Sequence, residues 1–214
     1  MGSTPDQVIS KYFSIIGKPV LIPQWSLGWH QCRYGYRSLD TLKSVLAGYR
    51  NNAIPLDVMW SDIDYMKDYR NFIYDEDVAF KGLLSFVSDL HNQGMRYVPI
   101  LDAGTSARPL PADNYTAYQD GVKDDVFLKI NGEIFIGQVW PNDAAFPDFF
   151  NPSAINWWQS NLDSMHKLLP FDGLWLDMNE LSNFCGGVCY QRQAPAKPVK
   201  SQLKYFPTGK DLEK

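Results

Sequence analysis

The chain has 214 residues, 45% of them apolar and 21% charged, with a net charge of -4 at pH 7. Such a composition buries a large core and argues against a disordered, collagen-like or membrane-spanning chain. Lysines gather only in the tail (Lys197, Lys200, Lys204), so nucleic acid and anionic membrane surfaces are poor partners.

Strand and helix signals alternate along the chain. Leu21 to His30 reads as a first strand, and Asp40 to Asn51 carries the helical spacing Leu42, Val45, Leu46, Tyr49. Leu56 to Ile63 is a second strand that ends in Asp62 and Asp64. Phe80 to Gln93 is again helical (Leu83, Phe86, Val87, Leu90) and stops at Gly94. Arg96 to Asp102 makes a third strand. In the long connection from Ala103 to Asp148, Val126 to Ile130 and Glu133 to Val139 flank Asn131-Gly132, a dipeptide suited to a tight hairpin turn. Asn151-Pro152-Ser153 opens a helix through Trp157, Trp158, Leu162, Met165 and Leu169, before a fourth strand from Leu174. Trp157 and Trp158 read as packing residues on that helix. From Cys185 onward the pattern dissolves into Gly, Pro, Lys and Gln, a loop or linker covering residues 185–214.

Four strand-helix steps predict a parallel sheet with its functional residues at the carboxyl ends of the strands. A complete (β/α)8 TIM barrel takes about 250 residues. Four units and one inserted hairpin occupy most of this chain, so residues 1–184 read as the amino-terminal half of such a barrel. Met1 to Gln7 lack the apolar run of a signal peptide, which places any targeting segment outside the sequence.

The chemistry concentrates where strands end. Gly173-Leu-Trp-Leu-Asp-Met-Asn-Glu180 runs a buried-strand pattern into Asp177 and Glu180 with no Gly or Pro to make a simple turn. Trp175 and Asp177 share one face of that strand, Leu174 and Leu176 the other. Asp62, Asp64 and Asp102 end the second and third strands, so all five acids would lie on one rim, interleaved with Tyr34, Trp60, Trp140 and Trp175. Aromatic faces stack on sugar rings and carboxylates accept hydrogen bonds from sugar hydroxyls. An aromatic core also accounts for 7 Trp, 12 Tyr and 12 Phe, and a helix cap or loop ion pair for Asp62 and Asp64.

Three cysteines (Cys32, Cys185, Cys189) allow one disulfide and one free thiol, or a pair completed elsewhere. Cys185-Gly-Gly-Val-Cys189 suits a disulfide or a loop better than a ligand set. Three scattered histidines (His30, His91, His166) make a metal site improbable. Asn114-Tyr115-Thr116 is a glycosylation acceptor triplet, compatible with a lumenal or secreted protein.

Four segments in order resemble one family. Pro23-Gln-Trp-Ser-Leu-Gly-Trp-His-Gln-Cys-Arg-Tyr-Gly-Tyr36, Pro55-Leu-Asp-Val-Met-Trp-Ser-Asp-Ile-Asp-Tyr-Met66, Val139-Trp-Pro-Asn-Asp-Ala-Ala-Phe-Pro-Asp148 and Gly173–Glu180 are similar to segments of glycoside hydrolase family 31, the α-glucosidases. The resemblance spans residues 5–184. It implies a retaining hydrolase of terminal non-reducing α-linked glucose in oligo- or polysaccharides, of lysosomal or extracellular setting, needing no cofactor or metal. Asp177 matches the nucleophile that forms a glycosyl-enzyme, and Glu180 the second signature acid, a support for its surroundings. Asp62 matches the residue that binds hydroxyls of the terminal glucose, with Ile63 as apolar wall. Tyr34, Trp140, Trp175 and Met178 match positions lining that pocket and its entrance. Where many relatives have Asp-Pro-Ala-Ile, this chain has Asp102-Ala-Gly-Thr105. The family's acid/base aspartate, a sugar-binding arginine and a histidine come from later strands, so residues 1–214 alone are expected to be inactive without the remainder of the parent chain. A non-catalytic relative serving as a binding or regulatory subunit is the rival reading. An open α/β nucleotide-binding protein would need a Gly-rich loop after the first strand, and there is none.

Overall fold

The computed structural model describes residues 2–108, 115–186 and 189. Helix α1 (Pro5–Ile16) starts at Thr4, whose hydroxyl accepts from the Gln7 amide, has proline in its first turn and stops at Gly17 with φ 84°. None of its residues is buried, and the apolar spacing Val8, Ile9, Tyr12, Ile15, Ile16 was a helical signal that the strand-first reading passes over.

The first strand is much shorter than the apolar run suggests. Only β1 (His30–Gln31) pairs; Gln24–Leu27 is a 3-10 turn and Leu21 is fully exposed. Pro23 has no amide to give a ladder. Immediately downstream, the backbone at Gly28 passes so close to Asp57 that a Cβ would meet its carboxyl, and the Trp29 amide donates to that carboxyl at 2.8 Å.

The expected alternation then holds. Helix α2 (Leu39–Asn51) is capped by the Ser38 hydroxyl, which accepts from the Thr41 amide, and buries Leu39, Leu42 and Leu46. Strand β2 (Val58–Ser61) follows, then α3 (Leu83–Asn92), which buries Leu83, Phe86, Val87 and Leu90. Strand β3 (Arg96–Asp102) has the bounds read from sequence and is buried along all but its first residue.

After β3 the chain makes an antiparallel insertion. Strands β4 (Thr105–Ser106), β7 (Ile136–Val139) and β8 (Asn142–Ala145) form one three-stranded sheet in the order β4-β8-β7, with α4 (Ala117–Lys123) between β4 and the rest. The predicted hairpin exists but is short, β5 (Lys129–Ile130) against β6 (Glu133–Ile134), with positive φ at Asn131 and Gly132 as its turn demands. Ile136–Val139 belongs to a different ladder, because Val139 and Asn142 pair directly around a tighter turn. Helix α5 (Pro152–Leu168) is capped by Asn151, and the Trp157 indole donates to the Ala117 carbonyl at 3.0 Å, tying α5 to α4. Strand β9 (Trp175–Asp177) closes the described fold.

Strands β1, β2, β3 and β9 form one all-parallel sheet in that order. Parallel neighbours need long crossovers, and α2, α3 and α5 lie in them. Met59, Tyr97 and Leu101 share the main core with Leu42, Leu46, Phe86 and Leu90. The other parity of the sheet carries Trp60, Asp102, Trp175 and Asp177. At the amino ends of the strands, Asp172 accepts from the Tyr97 amide at 2.9 Å and meets His91 at 2.7 Å and Arg96 at 3.4 Å, which fixes the approach to β9.

Candidate active site

The register sets the site. Asp102 and Asp177 are direct partners at the ends of β3 and β9, and Trp175 lies two residues back, opposite Ile100. Asp62 follows β2 on the same parity. The carboxyl ends of three neighbouring strands thus bring Asp62, Asp102 and Asp177 to one rim, and each feels another's charge.

Below the rim lies an aromatic floor. Trp175 and Trp60 rings are 5.6 Å apart, and Trp60 and His30 rings 5.7 Å. The Trp60 indole donates to His30 Nδ1 at 2.9 Å, so the other ring nitrogen, 3.1 Å from the Ser26 carbonyl, carries the hydrogen. A second aromatic group forms the wall. Tyr34 stacks on Trp140 at 6.3 Å, Phe184 meets Trp140 edge-on at 5.0 Å, and the Trp140 indole lies 3.0 Å from the Met178 sulfur. Tyr34, Trp140 and Phe184 all remain exposed.

The three acids have different surroundings. Asp177 is exposed, and directly after it Met178 takes φ 58° and Leu181 φ 68°, so the chain turns sharply away and leaves the carboxyl at the strand tip. Asp62 accepts from the Ile63 amide at 2.7 Å and caps a 3-10 turn over Ile63–Tyr65. Partial burial, then the charges of Asp64 and Asp177, push its carboxyl above the usual aspartate range against that hydrogen bond. Asp102 is 4% exposed, and its Oδ1 finds no partner among the described residues. Burial first, then Asp177 and Asp62, push it up to about 7. The Asn71 amide fixes the backbone there, donating to the carbonyls of Asp102 at 2.7 Å and Gly104 at 3.1 Å.

The other candidates divide. Asp64 is a loop clamp: its carboxyl accepts from the Gly35 amide at 2.8 Å and faces Arg37 at 4.0 Å. Ile63 is buried in the main core at 2% exposure. Glu180 is exposed and takes a 2.7 Å hydrogen bond from the Ser182 hydroxyl, which lowers its pKa. It stands apart from the three-acid cluster. Cys185 and Cys189 form a disulfide, and Cys32 is a free thiol raised to about 11 chiefly by burial and next by Asp62. Among the described residues no group of three His, Cys, Asp or Glu is placed to hold a metal ion. Asn114 and residues 190–214 lie outside the described residues.

Sequence reasoning passed over Phe184 and gave Asp102 no role. Phe184 follows Asn183, whose side-chain oxygen accepts from the Gln138 amide at 2.8 Å while the Phe184 amide donates to the Gln138 carbonyl at 2.8 Å. This β-like contact with β7 brings Phe184 to Trp140, and no local pattern encodes it.

Parallel strands that collect carboxylates at their carboxyl ends, above an aromatic floor, define a segment of a (β/α) barrel with the makings of a sugar site. A model of the glycosyl hydrolases family 31 TIM-barrel domain matches residues 19–206, and the chain belongs to that family. It is 42% identical over 190 residues to alpha-xylosidase 1 of Arabidopsis thaliana, covering 88% of this chain and 20% of that protein. Mouse (Mus musculus) lysosomal alpha-glucosidase is 41% identical over 188 residues, 87% of this chain and 20% of that one. The crystal structure of an ER glucosidase II heterodimeric complex superposes with a TM-score of 0.78 at 32% identity, over 87% of this chain and 20% of that one. The chain thus spans about a fifth of the length of these relatives, which are glycoside hydrolases by name.

Proposed function

We propose that this chain supplies the nucleophile-bearing half of a retaining α-glucosidase site, with Asp177 as the nucleophile. The observation that carries the reading is Asp177 itself: an exposed carboxyl at a parallel strand tip, on the face of Trp175, in register beside a buried acid. Asp62 binds hydroxyls of the terminal sugar. Tyr34, Trp140 and Met178 make the entrance wall, Trp175 lies under the sugar, and Glu180 keeps the loop after β9 in shape through Ser182.

In a retaining reaction Asp177 attacks the anomeric carbon as the leaving oxygen takes a proton, giving a glycosyl-enzyme; water then opens it on the same face. The proton donor would stand about 5–5.5 Å from the nucleophile, and it comes from residues beyond this chain. Residues 1–184 are read as the barrel portion, and the loop or linker expected from residue 185 lies, apart from Cys185, Gly186 and Cys189, outside the described residues. The lysosomal relative and the Asn114 acceptor triplet support a secretory route, and no helix of the described residues is long and apolar enough to cross a membrane.

The test is trapping. An α-glucose-configured mechanism-based inactivator, applied to the full-length protein and followed by peptide mapping, should place the adduct on Asp177. An adduct on another residue overturns the assignment, and none at all favours a non-catalytic relative. Paired rates on aryl α-glucoside and aryl α-xyloside decide between the two sugars, a question that the similarity to alpha-xylosidase 1 raises.

A further inference from the structure

We propose that Asp102 is a positioning residue for Asp177: a buried carboxyl one strand away that donates a hydrogen bond to the nucleophile's carboxylate and fixes which of its oxygens faces the substrate. This rests on the reading of Asp177 as nucleophile.

Geometry supplies the first argument. Asp102 and Asp177 are register partners on parallel strands, which puts their backbones about 4.8 Å apart with both side chains on one face. Asp102 cannot drift, since Asn71 holds the carbonyls of Asp102 and Gly104 and the strand is buried up to that point. Its Oδ1 is buried and without a hydrogen-bond partner among the described residues. A buried polar atom left unpaired costs about 1–3 kcal/mol, and Asp177 is the polar group nearest in register.

The neighbours supply the second. Two charged groups act on Asp102, Asp177 on β9 and Asp62 after β2, and both are anions. The Tyr65 hydroxyl is engaged with the Ile100 carbonyl at 2.9 Å, the Arg70 guanidinium lies over the Tyr115 ring, and the neighbouring β4 residues Thr105 and Ser106 carry no charge. With burial first and the two neighbouring anions Asp177 and Asp62 next, Asp102 keeps its proton up to about 7. Below that it is a neutral donor beside a carboxylate. Above it the donor is lost, and a second negative charge stands next to the nucleophile.

The experiment is a pH profile of the full-length protein on an aryl α-glucoside whose leaving group departs without protonation, so that the limb reports the nucleophile's surroundings. Native kcat/KM should fall above pH 7, by about tenfold per pH unit if the ionised form is inactive. Asp102→Asn keeps a donor and never ionises. It should stay within about threefold of native at pH 5 and lose the alkaline fall. Asp102→Ala should lower kcat by about tenfold to a hundredfold, the size of one hydrogen bond to a charged group, with KM little changed. An Asp102→Asn profile that retains the native alkaline limb overturns the proposal while Asp177 labelling still stands. Failure to label Asp177 in the native protein removes the underlying reading separately. Should Asp102→Asn fail to fold, infrared spectra of the native protein decide. A protonated-carboxyl band with a midpoint near pH 7 that is missing from Asp102→Ala supports the proposal; no band between about pH 5 and 8 that depends on Asp102 overturns it.

Discussion

Strands β3 and β9 are neighbours in one parallel ladder and both end in aspartate, yet they give their acids opposite surroundings. Asp102 is 4% exposed at the end of a strand buried almost throughout, whereas Asp177 is exposed and its flanking Leu176 is 59% exposed. The same side chain is therefore buried, with its pKa raised chiefly by that burial, on one strand and left in solvent on the next. What separates them is how much protein stands beyond the strand tip. After β3 the chain runs straight on into β4, and the Asn71 amide holds the Asp102 carbonyl from the loop after β2; after β9 the chain turns away through left-handed Met178.

The comparison breaks hardest at Asp177. Asp177→Asn keeps the shape and removes the proposed nucleophile, and kcat/KM of the full-length protein should fall by about a thousandfold or more. Circular dichroism should be unchanged and the inactivator adduct absent. Retained activity would mean that the exposed acid is a bystander and the buried one the reactive group.

The outer faces of the two strands make a second contrast. Leu101 on β3 is fully buried in the main core, and Leu176, its register partner on β9, is largely exposed. Leu101→Ala in the chain should cost about 2–5 kcal/mol, the range for a buried leucine whose cavity does not collapse. Leu176→Ala should cost about 0.5 kcal/mol or less, as an exposed position does. Denaturant midpoints of the two variants read the difference directly. Equal losses would show that β9 is covered in the working protein in a way that residues 1–214 do not show.

How legible this was in the sequence follows the same division. Strand β3 and helices α2, α3 and α5 carry strong local signals, apolar period first and then a cap at Ser38 or Asn151 or a stop at Gly94, and their positions follow from these. Strand β1 is shorter than its sequence suggests, because Leu21 to Leu27 is rich in apolar residues but holds Pro23 and a 3-10 turn over Gln24–Leu27, and Gly28 packs on Asp57. Helix α1 was missed although Thr4, Pro5 and Gly17 spell its ends. Asp62 and Asp177 were legible as strand-end acids. The standing of Asp102 was not, since it depends on which strand lies beside it and what folds over it, and both are tertiary facts. Phe184 was hidden for the same reason.

Asp102 also sharpens the comparison through stability. Its carboxyl titrates near 3.8 when unfolded and at about 7 when folded, so the native state holds a proton that the unfolded state has released across that window. A raised acid favours the fold most at the acid end. Stability gained from it declines as pH rises from about 4 to 7 and is flat beyond. Asp102→Asn does not titrate, so relative to native it should gain stability between pH 4 and pH 8. The full shift would correspond to about 4 kcal/mol, and solvent reaching the rim should reduce this to about 2 kcal/mol. Urea unfolding at the two pH values checks it, and a difference that does not change with pH would put Asp102 in the ordinary aspartate range.

The smallest effect belongs to the wall that both strands face. Tyr34 reaches the rim from the loop after β1 and is held there by Trp140 and by the Gly35–Asp64 hydrogen bond, while its ring stays half exposed. Among the described residues no contact joins it to Asp102 or Asp177, so its removal should leave the acids' titration and kcat alone and weaken only the grip on sugar. Tyr34→Ala should raise KM by about three- to tenfold, the value of one aromatic contact of about 0.5–1.5 kcal/mol. Tyr34→Phe keeps the ring and should be nearly silent. A fall in kcat with KM unchanged would place Tyr34 among the groups that act in the transition state, and the wall would then belong to the chemistry rather than to binding.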